Sequence, residues 1–179
     1  MPTQNVNQVA KKIGWVLISA GERMVKSAYK IKSVEITATD LATFVNDITV
    51  IQMGLIERAD TMYRVGDWAN WEDIILYDLQ DTEKWILDFS DCDNFSFSFA
   101  SRSPWLYGLN SCGVASGWVY RQDGSKYRHS FNLIVAFDIQ GNLQCYYYDA
   151  ISDNWAKVEK GKNAMINNGR YVADTVLFF

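Results

Sequence analysis

The sequence predicts an α+β domain in which N-terminal helices and a central helix pack on a mostly antiparallel sheet. Two observations carry this. Apolar residues recur at helical spacing through the first half, and after Gly113 the pattern changes to short alternating runs divided by turn signals. A third observation sets the size. With 179 residues, 49% of them apolar and 15% aromatic, the chain can bury one sizeable core.

Val6, Val9, Ile13, Val16 and Leu17 predict an amphipathic helix over residues 5–20. Thr39 and Asp40 form the N-cap region of a second helix, which presents Leu41, Phe44, Val45 and Ile48 on one side. The apolar run ITVIQMGLI leaves its end open. Asp67 caps a third helix expected to run through Leu79, with Trp68, Trp71, Ile74 and Ile75 on the buried side. Glu72 and Asp73 sit near its positive end.

The stretch FSDCDNFSFSF alternates like a strand but also fits one face of a helix. Ser90-Asp91-Cys92-Asp93 has the capping-box form, so a helix is expected with Ser90 as N-cap, Cys92 in its first turn and Pro104 closing it. Strands follow at 113–120, 129–137, 143–149 and 171–179. Asp123-Gly124 and Gly141-Asn142 mark hairpin turns between them.

Composition excludes several classes. The net charge is −4 and no Lys/Arg cluster is visible along the chain, which argues against a nucleic-acid partner. No apolar run is long enough to span a bilayer and the N-terminus lacks a signal-peptide core. A cytoplasmic protein without a membrane partner is expected, with Cys92, Cys112 and Cys145 as free thiols. One His and no C-x-x-C exclude a zinc site of ordinary spacing.

The chemistry of interest is that of a thiol. A helix N-terminus favours the thiolate, and a His partner would complete its activation. His129, the one His of the chain, opens a strand whose period of two puts Phe131, Leu133 and Val135 on the same face. Asp149 ends the neighbouring strand, where a carboxylate could fix the imidazole. The plainer readings are a small apolar Cys92 under a phenylalanine cluster and a hydrogen-bonded His129 at a strand entrance. Cys112 precedes a strand and gains nothing from a helix dipole; Cys145 alternates with Tyr147 and reads as core. Trp68 and Trp71 could bind sugar, although Trp at helical spacing is more often core.

Five pieces of the chain occur in an order that resembles a known family: DWANWEDIILYDLQDTEKWI, DCDNFSFSF, YGLNSCGVASGWVY, HSFNLIV and YYYDAISD. The resemblance is to papain-like and transglutaminase-like cysteine hydrolases. It is closest to small phage or bacterial proteins related to the C-terminal cysteine-protease domain of fungal agglutinins. It implies a papain/transglutaminase-like core over 63–179, with 1–62 a helical segment packed on it. It further implies a thiol-dependent hydrolase or acyl-transferase acting on the peptide or amide bonds of a peptide or protein substrate. Cys92 would be the nucleophile, His129 the general base and acid, and Asp149 the orienter. The Cys92 N–H, with Gln80 as a weaker suggestion, would hold the oxyanion. Calcium is implied as well, with Asp93, Asp149 and Asp153 as ligands. Two departures stand out: Ser130 replaces the family's small Ala, and Asp149-Ala150 replaces Glu-Pro, so the acid is one methylene shorter. The alternative reading is a non-catalytic phage-type structural or binding protein on a degenerate papain-like fold, with a virion protein as partner.

Overall fold

In a computed structural model the described residues are 20, 21, 24, 31–51, 55–76 and 91–179. The chain divides into two units, Met1–Ile31 and Lys32–Phe179; the architecture below is that of the second. The helix expected over 5–20 lies outside the described residues except for Ala20, which is helical.

The second unit opens with β1 (Ser33–Thr37), α1 (Ala38–Ile48), β2 (Leu55–Arg58), β3 (Met62–Gly66) and α2 (Trp68–Leu76). Helix α1 starts where Thr37 Oγ1 accepts the Asp40 N–H at 3.1 Å, and ends where the Thr49 N–H returns to the Val45 carbonyl at 2.8 Å. It buries Leu41 and Val45. Asp67 caps α2 as expected: its Oδ1 accepts the Asn70 N–H at 2.9 Å. Trp71, Ile74 and Ile75 are the buried side of this helix. The part expected to continue through Leu79, with Gln80 after it, lies outside the described residues.

Next come α3 (Cys92–Arg102), β4 (Cys112–Arg121), β5 (Lys126–Phe137), β6 (Leu143–Asp149), β7 (Asn154–Val158), β8 (Ala164–Ile166) and β9 (Gly169–Phe178). The strand order β2-β9-β4-β5-β6-β7, with β8 beside β9, makes a seven-stranded sheet. All its pairings are antiparallel except β2 with β9. β1 and β3 form a separate antiparallel pair. The α+β class and the mostly antiparallel sheet are therefore present.

Four expectations are corrected. Helices do not all precede strands, because β1, β2 and β3 interleave with α1 and α2. The boundary expected at residue 62 falls inside the second unit: β2 pairs with β9 and α1 contributes Leu41 and Val45 to the core. The N-cap of α3 is Asp91, one residue later than Ser90, and Asn94 Oδ1 accepts its N–H at 3.2 Å. Pro104 does not close the helical path. The chain passes through it in a π-helical turn, Ser103–Tyr107, and stops at Gly108, where φ is +71°.

The main core lies against one face of the sheet. Phe131, Leu133 and Val135 of β5, Tyr147 of β6, and Tyr171, Ala173 and Phe178 of β9 meet Leu41, Val45, Tyr63 and Val65 there. Phe131 makes edge contacts with Tyr147 and Tyr171 at 4.8 and 5.2 Å. Helix α3 packs on the other face. Asn132, fully buried, donates from Nδ2 to the Ser96 carbonyl of α3 at 2.9 Å and to the Gly113 carbonyl at 3.3 Å.

One position allows no side chain. Gly117 of β4 stands between His129 of β5 and Ala173 of β9, at a register shift in the β4–β9 ladder. A Cβ there would lie 1.9 Å from the Val172 carbonyl oxygen. Since the obstacle is backbone in the sheet centre, a Gly117→Ala chain is expected to lose about 3 kcal/mol or more of stability, or to fail to fold. Urea unfolding of the two chains checks this, and a loss within experimental error would refute the account.

Candidate functional site

The site is assembled where α3 begins beside β5. Ser96 Oγ donates to the Cys92 carbonyl at 2.7 Å and the Ser96 carbonyl accepts from Asn132, so the first turn of the helix is tied to itself and then to the strand. Asn132 is the last residue of the H-x-F-N stretch singled out in the sequence, and its role here is to dock α3.

Cys92 is half-buried and its thiol is in contact with His129. That contact, together with the Ser130 backbone and the imidazolium charge, holds the thiol below its ordinary value, against burial and the Asp91 carboxylate. His129 is 8% exposed. Burial disfavours its charged ring, but Asp149 and Cys92 outweigh it and push the ring up to about 9. The two groups thus favour each other's charged form, the imidazolium lowering the thiol and the thiol helping to raise the ring. Cys145 is the contrast: burial alone pushes its thiol far up. Cys112 is buried in β4.

Asp149 is buried too. Burial opposes its charge, but His129, Tyr171 and the Ile151 N–H together keep the carboxyl below the usual range. Its Oδ2 lies 3.3 Å from His129 Nε2 and also accepts the Tyr171 hydroxyl at 2.7 Å. Oδ1 accepts the Ile151 N–H at 3.1 Å. The His129 contact is longer than a charge-assisted hydrogen bond of good geometry, about 2.7–2.9 Å. His129 Nε2 is buried without an aligned acceptor. The carboxylate therefore stabilises the imidazolium by charge, while its best-directed hydrogen bond goes to Tyr171. Cys92, His129 and Asp149, expected to share a site, lie near one another; Tyr171, which lies on a strand far along the chain, was not expected there.

The calcium set is not assembled. Among the described residues no three His, Cys, Asp or Glu side chains converge on a metal position. Asp149 is committed to Tyr171, His129 and Ile151; Asp153 Oδ1 accepts the Tyr148 hydroxyl at 2.7 Å. Asp93 sits beside Asp91, whose carboxylate pushes that of Asp93 upward. Asp91 is needed as the helix cap, which accounts for one of the two acidic neighbours of Cys92.

Trp71 and Trp68 have different fates. Trp71 is fully buried, 6.2 Å from Phe99. Trp68 is half-buried and lines a cavity of about 540 Å³ together with Val34, Val65, Glu72, Asp138 and Tyr146. Its ring stacks on Tyr146 at 3.5 Å and 11°, and Trp155 meets it edge-on at 4.6 Å. Trp68 Nε1 is buried without a partner. No helix among the described residues is long and apolar enough to cross a membrane.

No protein-family model matches the chain, and no curated protein does. Solved structures do. One is the "PSL1a-E64 complex", at 19% identity and a TM-score of 0.53, covering 80% of this chain and 50% of that one. Another is the Polyporus squamosus lectin bound to the human-type influenza-binding epitope Neu5Aca2-6Galb1-4GlcNAc, at 17% identity and a TM-score of 0.47, covering 80% and 49%. The chain spans about half the length of each. The first likeness shows a shared fold. The expected thiol-dependent hydrolase or acyl-transferase is corrected here: the fold likeness leads to PSL1a and brings no hydrolase activity to this chain, which agrees better with the binding-protein alternative.

Two outcomes test the geometry of the thiol. Cys92 is expected to react with iodoacetamide at pH 7 at least about tenfold faster than Cys112 or Cys145, by peptide mapping, and His129→Ala removes most of the difference. The advantage shrinks above pH about 9, because the His129 proton that stabilises the thiolate is lost there. Equal labelling of the three thiols at pH 7 would refute the coupling of Cys92 to His129. For the acid, Asp149→Asn removes the charge that supports the imidazolium and is expected to slow Cys92 labelling several-fold at pH 7. An unchanged labelling rate in Asp149→Asn would show that the carboxylate serves Tyr171 alone.

Proposed function

We propose that the chain is a non-hydrolytic carbohydrate-binding protein on a papain/transglutaminase-like core, with the ligand held in the cavity beside Trp68. The observation that carries this is the aromatic wall of a roughly 540 Å³ space, made by Trp68 stacked on Tyr146, with Trp155 bracing Trp68 edge-on from outside that lining. That volume falls within the range of about 300–1,000 Å³ usual for small-ligand sites. A pyranose has an apolar C–H face and a rim of hydroxyl donors. Aromatic side chains match the first, and an acceptor such as Glu72 matches the second. The unpartnered Trp68 Nε1 supplies a donor whose burial costs about 1–3 kcal/mol until something accepts from it.

The loose end of the Cys92–His129–Asp149 group supports a non-hydrolytic role. An orienting acid works by an aligned hydrogen bond to the imidazole, and Asp149 gives its short contact to Tyr171 instead.

Screening the full chain on an array of oligosaccharides tests the reading. Retention of a subset of glycans is expected, with quenching or enhancement of tryptophan fluorescence on titration. Trp68→Ala is expected to weaken binding by about 2 kcal/mol or more, and Glu72→Gln by about 1 kcal/mol, both without loss of fold. An array with no retained glycan, or binding indifferent to both substitutions, would overturn it.

A further inference from the structure

A row of cations crosses the outward face of three strands. Tyr120 of β4 lies between Arg170 of β9 and Lys126 of β5; one step along β4, Trp118 stands opposite Arg128. The Arg170 guanidinium lies 4.7 Å over the Tyr120 ring. Lys126 Nζ is 4.6 Å from the Trp118 ring centre and 5.9 Å from that of Tyr120, and the Arg128 guanidinium is 5.1 Å from Trp118. All three cations are exposed and the two rings are half-buried. Asp174 pairs with Arg128 at one end of the row. The residues are scattered in sequence, so only the register of β9, β4 and β5 brings them together.

We propose that this face docks an extended acidic peptide segment of a protein partner. The charge is complementary: in a chain of net charge −4, three cations on one face reverse the local field and steer anions to it. The aromatic rings hold the cationic heads in place, so less side-chain freedom is lost on binding. Spacing selects the form of the ligand. Lys126 and Arg128 are alternate residues of one strand, about 7 Å apart, which is also the interval between alternate side chains of an extended peptide. Carboxylates at every second position would meet both, and Arg170 lies about 10 Å across, two strands away. A single-stranded nucleic acid needs bare ring faces on which to stack its bases, whereas each ring here carries a cation.

The same face continues past the cations. Ser116 and Ser130 lie opposite each other with their hydroxyls 3.4 Å apart, and Thr175 flanks Ser116. Beyond them is a cavity of about 220 Å³ lined by Phe97, Val114, Val176 and Leu177, with Glu57 the one acid among the described residues on its wall. Tyr120 and Ser116 are four residues apart on β4, about 14 Å. The ligand that fits is thus a short strand with alternating acids at one end and an apolar residue about four positions away. None of these residues belongs to the Trp68 cavity, so the two sites are independent.

Fluorescence anisotropy with labelled peptides and the full chain tests this. A peptide of alternating glutamate and threonine is expected to bind about tenfold or more tightly than its glutamine counterpart at low ionic strength, and more weakly as salt is added. The double variant Lys126→Gln/Arg170→Gln should lose about tenfold in affinity with an unchanged melting temperature, since both side chains are exposed. Asp174→Asn should gain several-fold by releasing Arg128. Equal affinity for the glutamate and glutamine peptides would overturn the proposal, as would tighter binding of an oligothymidylate of the same charge. A folded Asp174→Asn chain that binds no better than wild type would also overturn it.

Discussion

The architecture depends on how closely β4 and β9 approach at Gly117. There the backbone of one strand occupies the space that a side chain of the other would need, within 1.9 Å of a carbonyl. The ladder shifts register at this point, so Asp174 is displaced from regular pairing and reaches Arg128. On the opposite side of β4 the same residue faces His129. A single absent side chain therefore fixes the stacking of the central strands, the position of the histidine and the end of the cationic row.

The polar group beside α3 illustrates how environment divides the work of a carboxylate. Asp149 is buried and must be satisfied. It has a neutral donor in Tyr171 and a charged ring in His129, and the shorter bond goes to the neutral donor. In a site of low dielectric, charge attraction does not require alignment. His129 is thus held charged by its neighbours without being held firmly in orientation. The helix end complements this: Asp91 serves as cap, and its charge acts on Cys92 more weakly than the adjacent imidazolium.

Much of this was legible in residue order. Hydrophobic spacing placed α1 and α2, and alternation placed β4, β5, β6 and β9, because each of these elements buries a clear face. Cys92, His129 and Asp149 were legible because a thiol at a helix start and a unique histidine are rare residue choices. The short strands β1, β2, β3, β7 and β8, three to five residues long, were not. Too few residues fall in each for a period to register, and their pairing energy comes from partners distant in sequence. The same reason hid Tyr171 behind Asp149, and hid the convergence of Lys126, Arg128 and Arg170. The absence of a basic run in the sequence was true of the line of residues and untrue of the surface they build. Functional class was legible least of all, since one fold carries both enzymes and binding modules.

β9 follows every other strand in the chain yet lies inside the sheet, between β2 and β4, with β8 also against it. During synthesis the ribosome delivers β2, β4, β5, β6 and β7 before the strand that joins β2 to the rest. Until then β4 presents an open edge and the inward side of Phe131 lacks Tyr171. The nascent chain must hold that edge unpaired over the time needed to make β9, which exposes it to pairing with other chains. A ribosome stalled just short of Gly169 would release a product missing the strand that joins β2 and β8 to β4, a stronger candidate for chaperone capture than for a shortened native fold.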